Sequence, residues 1–217
     1  MASVTVPGTE RGLRRLARRP SATRGVVSWL TTVDHKKIGI MYGVASFVFF
    51  LVGGLEALLI RVQLARPDQA VLDPAAYNQI FTMHGVTMIF FVVMPLSAAF
   101  INYLLPLMIG ARDVAFPRLN AFSFWVWLAG GIFIYSSFVL GGAPNGGWFG
   151  YAPNSIVDAS PGMTFYSVGL LIAGIASTVS AVNLAVTVLN MRAPGMTLFR
   201  MPVFVWMSLV VQLLLAF

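Results

Sequence analysis

The residue of this sequence with the clearest capacity for chemistry is a histidine in an apolar run. His84 lies within IFTMHGVTMIFF, residues 80–91, whose other side chains are mostly apolar. A histidine inside a hydrocarbon-embedded helix is costly unless its ring nitrogens find partners, so it indicates a functional site by default. It could hydrogen-bond a neighbouring helix or ligate a haem iron, and spacing alone does not separate these two possibilities.

A second group of polar residues could carry protons. Asp113 stands in GARDVAFPRLN, and Asn102 and Asn120 flank it at predicted helix ends. Five further polar residues recur at intervals of 3, 3, 4 and 3 and therefore share one helix face: Ser177, Ser180, Asn183, Thr187 and Asn190. Such a stripe is more often a set of interhelical hydrogen bonds than a proton path. Together with the aspartate, it favours a hydrated channel.

The composition indicates that membrane helices position these residues. The chain has 217 residues, of which 58% are hydrophobic and only 10% are charged, whereas soluble domains carry about 25% charged residues. Its long, continuous apolar runs favour helices over a β-barrel. The absence of cysteine excludes disulfides and thiolate metal sites. We therefore predict an all-α fold, a polytopic transmembrane helix bundle.

Five apolar segments define the predicted spans: Ile38–Ile60, Ile80–Met108, Leu119–Leu140, Phe165–Leu189 and Pro202–Phe217. The first four reach the ~20 residues that a membrane-crossing helix needs. The second contains Pro95 and Pro106, so we expect it to tilt or kink near Pro95. The fifth stops at Phe217 without a helix-end signal. We therefore expect four full spans, a truncated fifth, and a chain that is a fragment of a longer protein.

Basic residues predict the orientation. Only Arg61 and Arg66 fall on one side of the predicted spans. The other twelve lie on the side of the N-terminus: Arg11, Arg14, Arg15, Arg18, Arg19, Arg24, Lys36, Lys37, Arg112, Arg118, Arg192 and Arg200. The positive-inside rule then predicts a cytoplasmic N-terminus, with residues 1–36 as a basic tail and residues 37–217 as the membrane domain. The net charge of +7 fits anionic lipid headgroups better than nucleic acid.

Four motifs carry a resemblance to a known family. They are VDHKKIGIMYG at 33–43, QIFTMHGVTMIFF at 79–91, INYLLPLMIGARDVAFPRLN at 101–120 and LNMRAPGMTLFRMPVFVW at 189–206. In this order they resemble consecutive signatures of subunit I of the haem–copper terminal oxidases, and the similarity covers nearly everything after residue 28. The resemblance implies that residues 37–217 are the N-terminal part of that subunit. It also implies that His84 is one axial ligand of a low-spin haem, of the a type.

The resemblance assigns roles to two residues at the outer side. Arg61 would hydrogen-bond the formyl group of the low-spin haem, and Glu56, one turn earlier, could be its partner within the membrane. The indole N–H of Trp148 would reach a propionate of a second, oxygen-binding haem. Without the resemblance, both residues are ordinary interfacial anchors. His35 is expected to be exposed and receives no ligand role.

On the inner side, the resemblance makes Asp113 the mouth of a proton pathway. Asn102 and Asn120 would line its first part, and Asn183 and Ser177 of the polar stripe would continue it. The family often has two adjacent serines in this stripe, whereas Ala176 precedes Ser177 here.

The implied function is that of a respiratory terminal oxidase, which reduces O2 to water and translocates protons. Subunits II and III would be its partners, and the complete subunit would hold a high-spin haem and copper. The two histidines of this chain do not suffice for those centres, so we do not expect this chain alone to be active. The excess of arginine over lysine is typical of GC-rich prokaryotic genomes and favours a bacterial plasma membrane.

The electron donor is the main alternative within this family. Quinol-oxidising relatives carry an arginine, an acid, a histidine and a glutamine at positions that correspond here to Val52, Glu56, Ala76 and Gln79. The arginine and the histidine are missing, which favours cytochrome c. An unrelated alternative is a haem-free proton channel or transporter, which would be colourless. A b-type haem carrier would need a second histidine within these spans.

Overall fold

Helices make up most of the chain in the computed structural model, which describes residues 25–157 and 160–216. The elements are α1 (Val27–Leu30), α2 (His35–Gln63), α3 (Pro74–Val86), a π-helical segment (Thr87–Val93), α4 (Met94–Met108), α5 (Pro117–Leu140), α6 (Asn154–Val157), α7 (Gly162–Asn190), a 3₁₀ turn (Leu198–Arg200) and α8 (Val203–Ala216). No β-strand occurs within these ranges.

Four helices are long and apolar enough to cross a membrane: α2, the continuous helix Pro74–Met108, α5 and α7. The fifth apolar helix, α8, has 14 residues. The all-α fold and the four spans are therefore confirmed. Most of the predicted N-terminal tail lies outside the described residues.

Polar N-caps extend two spans beyond their apolar cores. The side chain of Asp34 accepts a hydrogen bond from the Lys36 backbone N–H at 2.9 Å, and α2 begins at His35. Asp73 accepts from the Ala76 N–H at 2.9 Å, and α3 begins with Pro74. Such caps satisfy backbone donors that have no partner within the helix. The helices therefore start earlier than hydropathy alone predicts.

The second span changes its helical period ahead of Pro95. The π-helical segment occupies Thr87–Val93, and the N–H of Met94 donates to the carbonyl of Ile89, five residues earlier. Pro95 has no N–H, so it cannot continue this pattern to the carbonyl of Phe90. The indole N–H of Trp127 on α5 donates to that carbonyl instead, at 3.2 Å. Where a tilt or kink near Pro95 was expected, the structure has a π-helical segment that ends just before this residue.

Two glycines let α5 and α7 approach closely. A Cβ on Gly130 would lie 2.9 Å from the carbonyl oxygen of Gly169, and one on Gly169 would lie 2.2 Å from Cγ1 of Ile134. Small residues are the usual means of close helix packing in membranes, where apolar burial supplies little driving force. The α5–α7 pair is the most extensive helix contact among the described residues.

We expect Gly169→Ala to destabilise the protein, because the new methyl group must displace Ile134 or separate the two helices. Overpacking of this kind costs about 1–3 kcal/mol, which thermal denaturation in detergent would register as a lower Tm. Gly174→Ala is the matched control on the same helix, since a Cβ there meets no atom within 4 Å. A Tm for Gly169→Ala equal to that of Gly174→Ala would contradict the close packing.

Candidate functional site

His84 lies in the last turn of α3 and bonds to the neighbouring span. Its Nδ1 is 2.9 Å from the carbonyl oxygen of Gly53 on α2. A carbonyl oxygen can only accept, so Nδ1 must carry a hydrogen, and in the neutral tautomer with this bond Nε2 is the nitrogen with the lone pair. Nε2 has no protein partner among the described residues. Metal-ligating histidines are usually oriented by such a hydrogen bond, made by the ring nitrogen that does not bind the metal.

The same glycine fixes the spacing between the two helices. A Cβ on Gly53 would lie 2.9 Å from Sδ of Met88 and 3.3 Å from Cγ2 of Thr87. A larger residue here would require Met88 and Thr87 to shift, so glycine favours the approach that brings the carbonyl within reach of His84. The donor set fits one axial position of a haem, namely an imidazole that is held through Nδ1 and has Nε2 without a protein partner, in apolar surroundings. No group of three or more His, Asp or Glu residues forms a metal site within residues 25–157 and 160–216.

Trp148 is brought to the turn of α3 that carries His84. The loop after α5 is anchored by the Gly147 N–H, which donates to Oγ1 of Thr82 at 2.9 Å. The hydroxyl of Tyr166 donates to the Trp148 carbonyl. The indole ring then packs on Gly85, where a Cβ would lie 3.1 Å from Cδ1 of Trp148. The flat group packed against Gly85 is therefore the indole ring of Trp148.

The expected Glu56–Arg61 pair does not form. Arg61 is exposed near the end of α2, whereas the side chain of Glu56 is buried. The hydroxyl of Tyr135 on α5 donates to Oε1 of Glu56 at 3.1 Å, and the other carboxyl oxygen has no partner in the described chain. The Tyr135 hydroxyl also lies 2.5 Å from Oγ1 of Thr87. Glu56 therefore belongs to a three-residue cluster that joins α2, the π-helical segment and α5.

Three of the residues predicted for proton transfer, Asp113, Asn102 and Asn120, lie towards the opposite end of the bundle, here termed the Asp113 end. Asp113 is only 6% exposed, although it lies in a loop, and its Oδ1 accepts from the Val114 N–H at 2.9 Å. Asn102 and Asn120 are fully buried. Oδ1 of Asn102 and both side-chain polar atoms of Asn120 have no protein partner there. Buried polar atoms of this kind are normally satisfied by ordered water.

The polar stripe on α7 divides into two parts. Asn183 holds the loop near Asp113, because its Oδ1 accepts from the Phe116 N–H at 2.8 Å and its Nδ2 donates to the Phe116 carbonyl at 3.2 Å. Oγ1 of Thr187 accepts from the Ala115 N–H at 2.8 Å. This part of the stripe is therefore used in tertiary hydrogen bonds to the loop backbone.

The other part of the stripe borders a cavity of about 200 Å³ between the spans. Its wall is mostly apolar, and its polar members are Tyr42, Ser97, Ser177, Ser180 and Gln212. Ser177 is thus placed on the wall of a mostly apolar cavity, whereas Asn183 is engaged with the loop.

His35 is buried, which contradicts the expectation that it is exposed. Its relative exposure is 1%, because α2 begins at this residue and packs its first turn on α4. Nδ1 is 2.8 Å from the carbonyl oxygen of Asn102, and Nε2 is buried without a partner among the described residues. No ligand role follows, but the residue is a neighbour of the predicted proton pathway.

Sequence reasoning missed Tyr135 and the location of His35. Tyr135 sits in an ordinary apolar span, and nothing in its spacing pairs it with Glu56. For His35 a signal existed: Pro106 follows Asn102 by four residues, so the Asn102 carbonyl must lose its usual helical donor.

Residues 37–217 match the family described as "Cytochrome C and Quinol oxidase polypeptide I". The chain is 52% identical over 197 residues to "Cytochrome c oxidase subunit 1" of Bacillus subtilis (strain 168), covering 90% of this chain and 32% of that protein. It is 53% identical over 196 residues to the protein of the same name from Bacillus sp. (strain PS3), covering 89% and 32%.

A relative named for a different electron donor is almost as similar. "Quinol oxidase subunit 1" of Bacillus subtilis (strain 168) is 48% identical over 191 residues, covering 87% of this chain and 29% of that protein. The chain therefore spans about a third of the length of the curated relatives that it matches.

Proposed function

Because this chain belongs to the family of cytochrome c and quinol oxidase polypeptide I, subunit I of the haem–copper terminal oxidases, we propose that it forms part of the catalytic subunit of a respiratory oxidase that reduces O2 to water and translocates protons. The observation that carries the proposal is the geometry of His84. Its Nδ1–H is fixed to Gly53 and its Nε2 is left available, as an axial haem ligand requires.

Three residues would serve the haems at the His84 end of the bundle. His84 would hold one axial position of a low-spin haem of the a type. A bound haem supplies a one-electron acceptor and donor at this position. Arg61, close to the end of α2, would donate to its formyl group. Trp148, packed on Gly85 beside His84, would donate its indole N–H to a propionate of the second haem.

The Asp113 end would take up protons. Asp113 is a buried acid in a loop between two spans, and buried polar atoms of Asn102 and Asn120 lie without protein partners at the same end. Water bound there would connect the acid to the interior. Ser177 would extend this path along the cavity wall. The role of Asn183 would be to hold the loop backbone beside Asp113, which its two bonds to Phe116 support.

The basic residues support a cytoplasmic location for the Asp113 end, with the chain embedded in a bacterial plasma membrane. Oxidase subunits II and III would be its partners in the assembled enzyme. The complete subunit would add the high-spin haem and the copper.

We infer that cytochrome c is the electron donor. The resemblance places Val52 and Ala76 at the positions where quinol-oxidising members of the family carry an arginine and a histidine. The remaining acid, Glu56, is 7% exposed and bonded inward to Tyr135, so it does not face lipid, where a quinol would approach. Quinol oxidation is the second candidate, since a quinol oxidase subunit is 48% identical.

The donor is tested by oxygen consumption of the assembled oxidase with each reductant in turn. We expect steady turnover with reduced cytochrome c and only background rates with a short-chain quinol. An oxygen electrode measures both, and cyanide-inhibited enzyme supplies the background. Rapid turnover with quinol alone would reverse the assignment, and a preparation without haem absorbance would favour the haem-free channel instead.

A further inference from the structure

The bond between His35 and Asn102 occupies a position where the helix lacks a donor of its own. In an α-helix the carbonyl of residue 102 accepts from the N–H of residue 106. That residue is Pro106, inside α4, and proline has no N–H. A carbonyl left unpaired in a buried place destabilises the structure. The Nδ1–H of His35, from the neighbouring span, donates to it at 2.8 Å.

The surroundings of this bond are rigid. One turn further along α2, a Cβ on Gly39 would lie 2.9 Å from the carbonyl oxygen of Ala99 and 3.1 Å from the backbone nitrogen of Tyr103. The two helices therefore touch backbone to backbone beside His35. The imidazole is 1% exposed, so water has little access to replace it.

The bond also fixes a residue with an unpaired polar atom. Nδ2 of Asn102 donates to the carbonyl of Ala98 at 2.9 Å, which points the amide along its own helix. Oδ1 of Asn102 is buried without a partner in the described part of the chain. The position of this oxygen depends on the backbone at residue 102, and His35 is the side chain from another helix that bonds to that backbone.

We propose that His35 is a positioning residue for proton uptake: by replacing the donor that Pro106 removes, it holds the backbone of Asn102 so that the amide oxygen can bind water on the path from Asp113. This inference rests on the proposed function of the Asp113 end. It assigns His35 no proton of its own to transfer, and its effect is exerted through Asn102.

The test uses the assembled oxidase in proteoliposomes, with proton uptake at the Asp113 side followed by a pH-sensitive dye during turnover. His35→Leu keeps the volume but removes the donor, and it should slow proton uptake about tenfold, which corresponds to about 1.4 kcal/mol. His35→Asn places an amide N–H where Nδ1 was, so it should retain most of the rate. The haem spectrum should be the same in both variants.

A second substitution separates positioning from general damage. Pro106→Ala restores the N–H at residue 106, which can then donate to the Asn102 carbonyl. Combined with His35→Leu it should restore proton uptake, and if His35→Leu alone fails to assemble, the double variant should recover the haem spectrum. A normal rate in His35→Leu, equal losses in the Asn and Leu variants, or no rescue by Pro106→Ala would overturn the inference.

A different variant shows whether the proposed proton pathway from Asp113 is itself wrong. If Asp113→Asn leaves proton uptake unchanged, the pathway itself is wrong, and the role of His35 falls with it. If Asp113→Asn slows uptake while His35→Leu does not, the pathway stands and only the positioning role is wrong.

Discussion

Replacing His84 with alanine should abolish the absorption band of the low-spin haem in the reduced-minus-oxidised spectrum of the assembled oxidase. The substitution removes the imidazole that the Gly53 carbonyl orients, and an alanine methyl group cannot coordinate iron. Electron transfer through this haem would be lost with it, so steady-state oxygen consumption should fall to background. A spectrum recorded on purified protein, with haem quantified as the pyridine complex, measures the loss directly.

Phe81→Ala is the matched control for His84. Phe81 lies on the same helix, is 47% exposed and has no assigned role. Its replacement should leave the band in place, which separates loss of a ligand from loss of α3. An unchanged low-spin band in His84→Ala would contradict the ligand assignment.

Changing Asp113 to asparagine should slow proton uptake and the turnover that depends on it by roughly 10²-fold, the lower range for loss of a positioned proton-transferring group. Asparagine keeps the shape of the side chain and the oxygen that accepts from the Val114 N–H, but it cannot take up a proton. The haem spectrum should therefore be preserved. Stopped-flow measurement of proton uptake with a pH-sensitive dye would check both the direction and the size of the effect.

Asp68→Asn provides the control for this change. Asp68 is an exposed acid in the loop after α2, away from the Asp113 end, and its φ of 56° is one that asparagine readily adopts. The Asp68→Asn enzyme should turn over at the rate of the unsubstituted enzyme. Equal rates for Asp113→Asn and the unsubstituted enzyme would remove Asp113 from the pathway.

Hydropathy predicted the membrane helices well, because their apolar runs are much longer than any competing pattern. The five segments correspond to α2, the Pro74–Met108 helix, α5, α7 and α8. Helix ends were less predictable, since they depend on polar caps such as Asp73 that hydropathy does not register. The π-helical segment was not predicted, because it reflects hydrogen-bond geometry around Pro95 and the position of Trp127 on another span.

The sequence singled out individual candidate residues but not their contacts. His84 is conspicuous as a polar residue in an apolar run, and the motifs supplied its implied role. The predicted partner of Glu56 was wrong because sequence proximity favoured Arg61. In the structure Glu56 bonds to Tyr135, which lies on another span. The prediction that His35 is exposed was wrong for a similar reason. A short polar segment before a span is expected to be solvated, and only the packing of α2 on α4 buries His35.

The two prolines of the Pro74–Met108 helix affect how the bundle can assemble. This helix cannot satisfy all of its own carbonyls, since Phe90 depends on Trp127 and Asn102 depends on His35. Inserted by itself into hydrocarbon, it would leave two oxygens without donors, a state that lipid cannot relieve. Packing against α5, which carries Trp127, and α2, which carries His35, gives both carbonyl oxygens a donor. During biosynthesis, hydrogen bonding therefore favours the lateral association of these three helices. In the lipid bilayer, burial of apolar surface contributes little to helix association.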